Sequence, residues 1–223
     1  MLVGGDQNRT MNVTVLLPPR ERTVVPVSCV EAGRWGGRRP MSASSRHAPG
    51  SLRADKTAGL EDRAHESAGR RSDQGRVWDE VDRQSAVHNV MSATSALDDV
   101  QQQIEDAMAE RSDRIRPEPG QVGVVCAVGD VVVGLDPFDR PSTLGRYLRG
   151  IIAGHTLDAP DDTRGPAPLS PAARFLDQVD ATDVFSGHGV GLGEEVLLRG
   201  GVAGIGLSYD ERLVHLAACP SPV

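Results

Sequence analysis

The sequence predicts a single α+β domain, with antiparallel strands at both ends of the chain and amphipathic helices between them. Three observations carry that prediction. Valine-rich alternating runs occupy the beginning, apolar stripes at helical spacing fill the middle, and short β-runs joined by tight turns close the chain. A length of 223 residues suits one such domain with a sizeable core.

Met11, Val13, Val15 and Leu17 alternate with Asn12 and Thr14, the pattern of a half-buried strand. Residues 23–30 form a second valine-rich run, in which Pro26 cannot donate to a ladder and so marks an edge or a bulge. The Pro18-Pro19 turn region joins the two runs as a hairpin. Residues 36–74 are rich in Arg, Ser, Gly and Ala and poor in large apolar side chains, which reads as a basic, mobile insert. A helix begins near Gln74, its stripe carrying Val77, Trp78 and Val81, then Val87 or Val90 and Met91. Ser95 and Asp98 have capping-box spacing ahead of a helix through Leu97, Val100, Ile104 and Met108, which Pro117 and Pro119 close.

The second half begins with residues 121–135, two valine-rich runs meeting at Gly129-Asp130, a hairpin signal. Residues 142–159 place Leu144, Leu148, Ile151 and Ile152 on one helical face. A Pro- and Asp-rich linker, residues 160–169, leads to a helix capped by Ser170 with Pro171 in its first turn. The last forty residues read as a meander of strands over 195–198, 202–207 and 213–217, with turns at Gly200-Gly201 and Asp210-Glu211.

Composition excludes several classes. A net charge of -7 and 3% aromatics leave neither a basic face for phosphates nor a stacking platform, so no nucleic-acid partner is expected. No run reaches the roughly 18 to 20 apolar residues of a membrane span, and no charged-then-apolar leader opens the chain, so no membrane partner is expected and the cytoplasm is the expected location. Cys29, Cys126 and Cys219 are far apart and form no CxxC, which argues against a disulfide framework or structural zinc. The histidines show no HxH or HExxH spacing, so no metal site is expected. The cofactor stays unassigned.

Candidate site residues concentrate in the first eighty positions. Asp6, Gln7, Asn8 and Arg9 group donors and acceptors ahead of a strand, suiting a polar ligand or, equally, a hydrogen-bonded turn. Glu31, Arg34 and Trp35 offer a base, a phosphate fork and a stacking face; the plainer reading is an ion pair beside a tryptophan covering the core edge. Cys29 reads as a strand cysteine, because no adjacent group would lower its pKa. Lys56, the one lysine in the chain, lies with Arg53 in the basic insert and would either close over a ligand or be solvated. His215 is the best acid–base candidate among the histidines, against a satisfied structural histidine, and Trp78 belongs to the core. Catalytic candidates are therefore Glu31, Asp6 and His215; ligand-binding candidates are Gln7, Asn8, Arg9, Arg34, Trp35 and Lys56. The run GHGVGLGE, residues 187–194, lacks the preceding strand and following helix of a dinucleotide loop, and neither GxSxG nor a phosphate loop occurs.

The segments GGDQNRT, PVSCVEAGRW, SLRADK, RRSDQGRVWDEV, GLDPF and VHLAA together resemble the ARG and Rhodanese-Phosphatase-superfamily-associated Protein domain family, over nearly the whole chain. The stretch after Gly36 is shortened and scrambled relative to the family pattern, and the β-rich segment that usually precedes the GGDQNRT-like motif is missing, which implies a chain starting partway through the domain. The resemblance implies no particular reaction. By association alone it implies a place near ADP-ribose or NAD metabolism, hence a nucleotide-like small molecule as ligand. The rival expectation is a non-catalytic scaffold or regulatory domain binding a partner protein, favoured by the amphipathic helices and the lack of a catalytic motif.

Overall fold

The structure, a computed structural model, describes residues 2–4, 7–34, 42–43, 46–61, 70–159 and 168–221. Asp6, Trp35 and most of the 160–169 linker lie outside the described residues. The architecture is α+β, with strands at both ends of the chain.

A small sheet is built from β1 (Leu2–Gly4), β2 (Arg9–Met11), β3 (Val27–Cys29) and β4 (Ser42–Ala43), in the order β3-β2-β1-β4. The hairpin expected across Pro18-Pro19 is present, with Arg9 opposite Cys29, and β3 is an edge strand, as Pro26 implies. The first strand is much shorter than its alternation predicts. Asn12 is buried rather than solvent-facing: Ser28 Oγ donates to its Oδ1 (2.6 Å), and its amide donates to the Arg70 carbonyl (3.0 Å). These bonds turn the chain out of the sheet, and Val13 and Val15 then pack on the larger sheet beside Ile205.

Within residues 36–74, where composition predicts an insert, Gly50–Glu61 form helix α1. A helix needs few apolar residues if its buried face is satisfied otherwise. Here Leu52 is fully buried, while Arg53 and Lys56 turn their polar ends toward fixed partners. The N-terminus of α1 is capped from a distance by Asp158, which accepts from Gly50 N–H (2.6 Å) and Ser51 Oγ (2.7 Å).

Helix α2 (Gln74–Val87) starts as expected. Asp73 accepts from the Gly75 and Arg76 N–H groups, and Val77 and Val81 are buried. The helix ends before Met91, which is wholly exposed. The single helix expected from Leu97 to Met108 is two, α3 (Leu97–Gln103) and α4 (Glu105–Arg114), broken at Ile104. Ser95 makes no cap, because its left-handed backbone (φ 48°) is not the extended form a cap needs. Ser92 does part of that work instead, accepting from Ala96 N–H (2.9 Å) and donating to Asp99 (2.6 Å).

The large sheet comprises β5 (Gly123–Val128), β6 (Val131–Pro137), β7 (Asp183–His188), β8 (Glu194–Arg199), β9 (Val202–Tyr209) and β10 (Arg212–Pro220), all antiparallel in the order β5-β6-β10-β9-β8-β7. The Gly129-Asp130 hairpin and the terminal meander appear where the sequence places them. Strand β7 was not anticipated. It does precede the GHGVGLGE run, but that run continues into β8 and no helix follows, so it is a hairpin connection. Helix α5 (Pro141–His155) runs into a 3-10 turn at Thr156–Asp158. Helix α6 (Leu169–Asp180) begins one residue before Ser170, which therefore caps nothing.

Helices cover both faces of this sheet. On β5, Val125 and Ala127 join the cluster containing Phe175 of α6, whereas Val124 and Cys126 join Leu144, Leu148 and Ile151 of α5. The α5 face is shared by α1, which packs on β6, β9 and β10. No helix among the described residues is long and apolar enough to cross a membrane.

Candidate functional site

A cavity of about 240 Å³ opens between the α1 side of the large sheet and the chain leaving β2. Each wall follows from the local pattern. On α1, Arg53, Lys56 and Thr57 are three and four residues apart and so share one face. On the large sheet, period two puts Leu135 and Leu216 on the α6 side and leaves Asp136 and His215 on the cavity side. A β-bulge between Leu213 and His215 fixes that register. Gly134, beside Asp136, lets β6 approach α5 closely, since an added Cβ would lie 2.8 Å from the His155 ring. Strand β2 and the segment after it contribute Thr10 to Val15, and His47, Phe138 and Tyr147 also line the cavity.

Polar chemistry in the cavity centres on Asp136, which is 2% exposed. Arg53 holds it with both terminal nitrogens, Nη1 at 2.9 Å from Oδ2 and Nη2 on Oδ1. His215 Nε2 lies 3.1 Å from Oδ1, and on the other side of the ring Nδ1 lies 2.7 Å from Thr14 Oγ1. The ring stacks on Phe138 with centroids 4.5 Å apart. Burial pushes the Asp136 carboxyl up, but the charge and hydrogen bonds of Arg53 and His215 outweigh it and hold the group well below the usual carboxylate range. Asp136 is therefore an anion that only accepts hydrogen bonds.

Lys56 is different. It is 4% exposed, and its Nζ donates to Thr10 Oγ1 (3.3 Å) and the Met11 carbonyl (2.5 Å). No carboxylate pairs with it among the described residues. Burial, with help from the charge of Arg53, lowers its pKa from 10.5 to about 7. Burial likewise lowers that of His47 to about 2, keeping a neutral ring in the cavity lining.

The candidates singled out in the sequence divide into two groups. Lys56 and His215 line the cavity, whereas Gln7, Asn8, Arg9, Glu31 and Arg34 do not. Of these, Gln7, Asn8, Glu31 and Arg34 form a separate knot. Arg34 pairs with Glu31 (2.6 Å), Thr94 Oγ1 donates to Glu31 (2.8 Å), Asn8 N–H donates to Glu31 (3.0 Å), and Gln7 donates to the Arg34 carbonyl. The Glu31 carboxylate is fully buried with its oxygens engaged, and the knot ties β2 and β3 to the turn before α3. Cys29 is half-buried in β3, its peptide bracketed by Gln74 (3.0 and 2.7 Å). Sequence reasoning did not single out Thr14, His47 or Asp136. A signal existed, since SLRADK carries Arg53 and Lys56, GLDPF carries Asp136 and Phe138, and VHLAA carries His215 and Ala217.

A wider groove of about 510 Å³ lies between α4 and α5 beside Tyr147. Two of its arginines are already paired, Arg46 with Asp98 and Glu105, and Arg149 with Asp113. Among the described residues no group of three or more His, Cys, Asp or Glu side chains is placed to hold a metal ion.

Fold and site together define an α+β domain with a cation-bearing cavity between a helix and an antiparallel sheet. The chain belongs to the ARG and Rhodanese-Phosphatase-superfamily-associated Protein domain family, whose sequence profile matches residues 1–219. No curated protein and no solved structure matches it.

Proposed function

We propose that this is a small-ligand-binding domain whose cavity takes the phosphate-bearing part of an anionic metabolite. The observation that carries the proposal is Lys56, a buried ammonium lining the cavity with no carboxylate paired to it among the described residues. A buried cation with no counter-ion is costly, and an anion entering the cavity would supply the missing charge. The arginine fork beside it is held by Asp136, so Lys56 is the cation with unspent charge. The volume of about 240 Å³ lies below the roughly 300 to 1,000 Å³ typical of drug-sized ligands. It suits a phosphate or sugar phosphate, with any base outside. ADP-ribose and NAD-derived molecules are the ligands this reading tests first, on association alone.

A thermal-shift series with inorganic phosphate, ribose 5-phosphate, ADP-ribose and NAD tests this. A ligand at about one hundred times its Kd adds about 2.7 kcal/mol of stability and must raise Tm. Silence across the series would favour a second reading, a non-catalytic domain that binds a partner protein. That reading has its own support in β7, a fully exposed edge strand presenting Val184 and Phe185, a geometry open to strand addition.

A further inference from the structure

We infer that Thr14 is a nucleophile for phosphoryl transfer, activated by His215 and oriented through Asp136; the inference rests on the reading of the cavity as a phosphate site. Hydrogen-bond accounting leads to it. Asp136 is ionised and can only accept, so the proton between it and His215 sits on Nε2. In the neutral ring Nδ1 then carries a lone pair. In that neutral form the Thr14 hydroxyl is the donor across the 2.7 Å contact, its proton aimed at an imidazole base. The ring is fixed against Phe138 and Asp136 is fixed by Arg53, so base and orienting carboxylate are both held before any ligand arrives.

A hydroxyl that merely satisfied a histidine would have no need of open space. Thr14 lines the cavity, on the irregular segment after β2, together with Lys56 and Arg53. Lys56, on the α1 wall of the same cavity, is the cation left to neutralise the non-bridging oxygens of a phosphate ester, since Arg53 is held by Asp136. In the first step Thr14 Oγ forms a bond to phosphorus as its proton passes to His215 Nδ1, and the ester P–O bond breaks in line, the leaving oxygen taking a proton from solvent while His215 returns its own to solvent. In the second step water gives a proton to His215 and attacks phosphorus, the Thr14–phosphorus bond breaks, and Thr14 regains its proton. The products are phosphate and an alcohol.

The whole protein is incubated with p-nitrophenyl phosphate and, separately, with a fluorophosphonate, following nitrophenolate release and mapping adducts by mass spectrometry. The expected result is an adduct on Thr14 from both probes. Release should fall about a hundredfold or more in Thr14→Val and in His215→Gln, and stay within about tenfold in Thr14→Ser. The Thr14→Ser arm keeps the test decisive should Thr14→Val fail to fold. Absence of a Thr14 adduct with both probes, or unchanged release in Thr14→Val, overturns the inference. If phosphate still raises Tm in that case, ligand binding stands and only the nucleophile falls; if it does not, both fall.

Discussion

Replacing Lys56 by methionine keeps most of the side-chain volume and removes a buried cation that has no carboxylate paired to it among the described residues. The lowering of its pKa from 10.5 to about 7 corresponds to a penalty of about 5 kcal/mol for the charged form. The substitution also strips Thr10 and the Met11 carbonyl of a donor, a loss of about 1 kcal/mol each. The balance is a gain of about 3 kcal/mol at neutral pH. For a chain of this size that raises Tm by roughly 6 to 12 °C. The gain must depend on pH in one direction. The unfolded lysine keeps its proton up to about 10.5, whereas the folded one releases it near 7. Between those values unfolding takes up a proton, so the stability of the natural protein rises with pH relative to the variant. Its deficit is full below about 7, shrinks through the window, closes near about pH 9 and becomes a surplus of about 2 kcal/mol by about 10.5, where only the hydrogen bonds lost in the variant still count. Urea unfolding of both proteins from about pH 6 to about pH 10 measures the gap, other titrations cancelling in the difference. A Lys56→Met protein less stable at neutral pH, or a gap that ignores pH, would refute the reasoning.

Three further outcomes follow from the same contacts. Asp136→Asn leaves the Arg53 guanidinium buried without its anion and should cost about 3 to 5 kcal/mol in chemical denaturation; because the Asp136 carboxyl titrates below its ordinary range, its contribution is complete above about pH 4 and lost as pH falls further, so the gap between the natural protein and the variant should narrow in acid. Asp158→Ala uncaps α1 and should lower stability by about 2 kcal/mol, with faster amide exchange at Gly50 and Ser51; unchanged exchange there would mean the cap is dispensable. Arg34→Ala should lower the Tm of the free protein while leaving any phosphate-induced rise intact, whereas loss of that rise would return the ligand to the N-terminal motifs.

The fold class and most elements were legible because they are written in local periodicity: the 121–135 hairpin, the stripes of α2 and α5, and the closing meander need only nearest-neighbour patterning. Two kinds of feature were not. Asn12 sits where alternation points outward, yet Ser28, Arg70 and the turn before α2 draw it inward, contacts that span up to 58 residues of sequence. Helix α1 escapes a composition argument because much of its buried face is polar and becomes satisfied only when β2, β6 and the turn after α5 arrive. The site was half legible for the same reason. Lys56 stood out as the single lysine and His215 as a histidine on an inward strand position, but Asp136 is one aspartate among many until the fold sets Arg53 and His215 on either side of it.

The central claim is that Lys56 is a buried amine waiting for an anion, and the chain carries one lysine, so it can be watched directly. Labelling with nitrogen-15 at lysine gives one Nζ resonance to follow by NMR against pH, with and without inorganic phosphate. The midpoint should lie near 7 in the free protein and move upward when phosphate is bound, because the anion favours the charged form. A midpoint near 10.5 that phosphate leaves unmoved would contradict the claim.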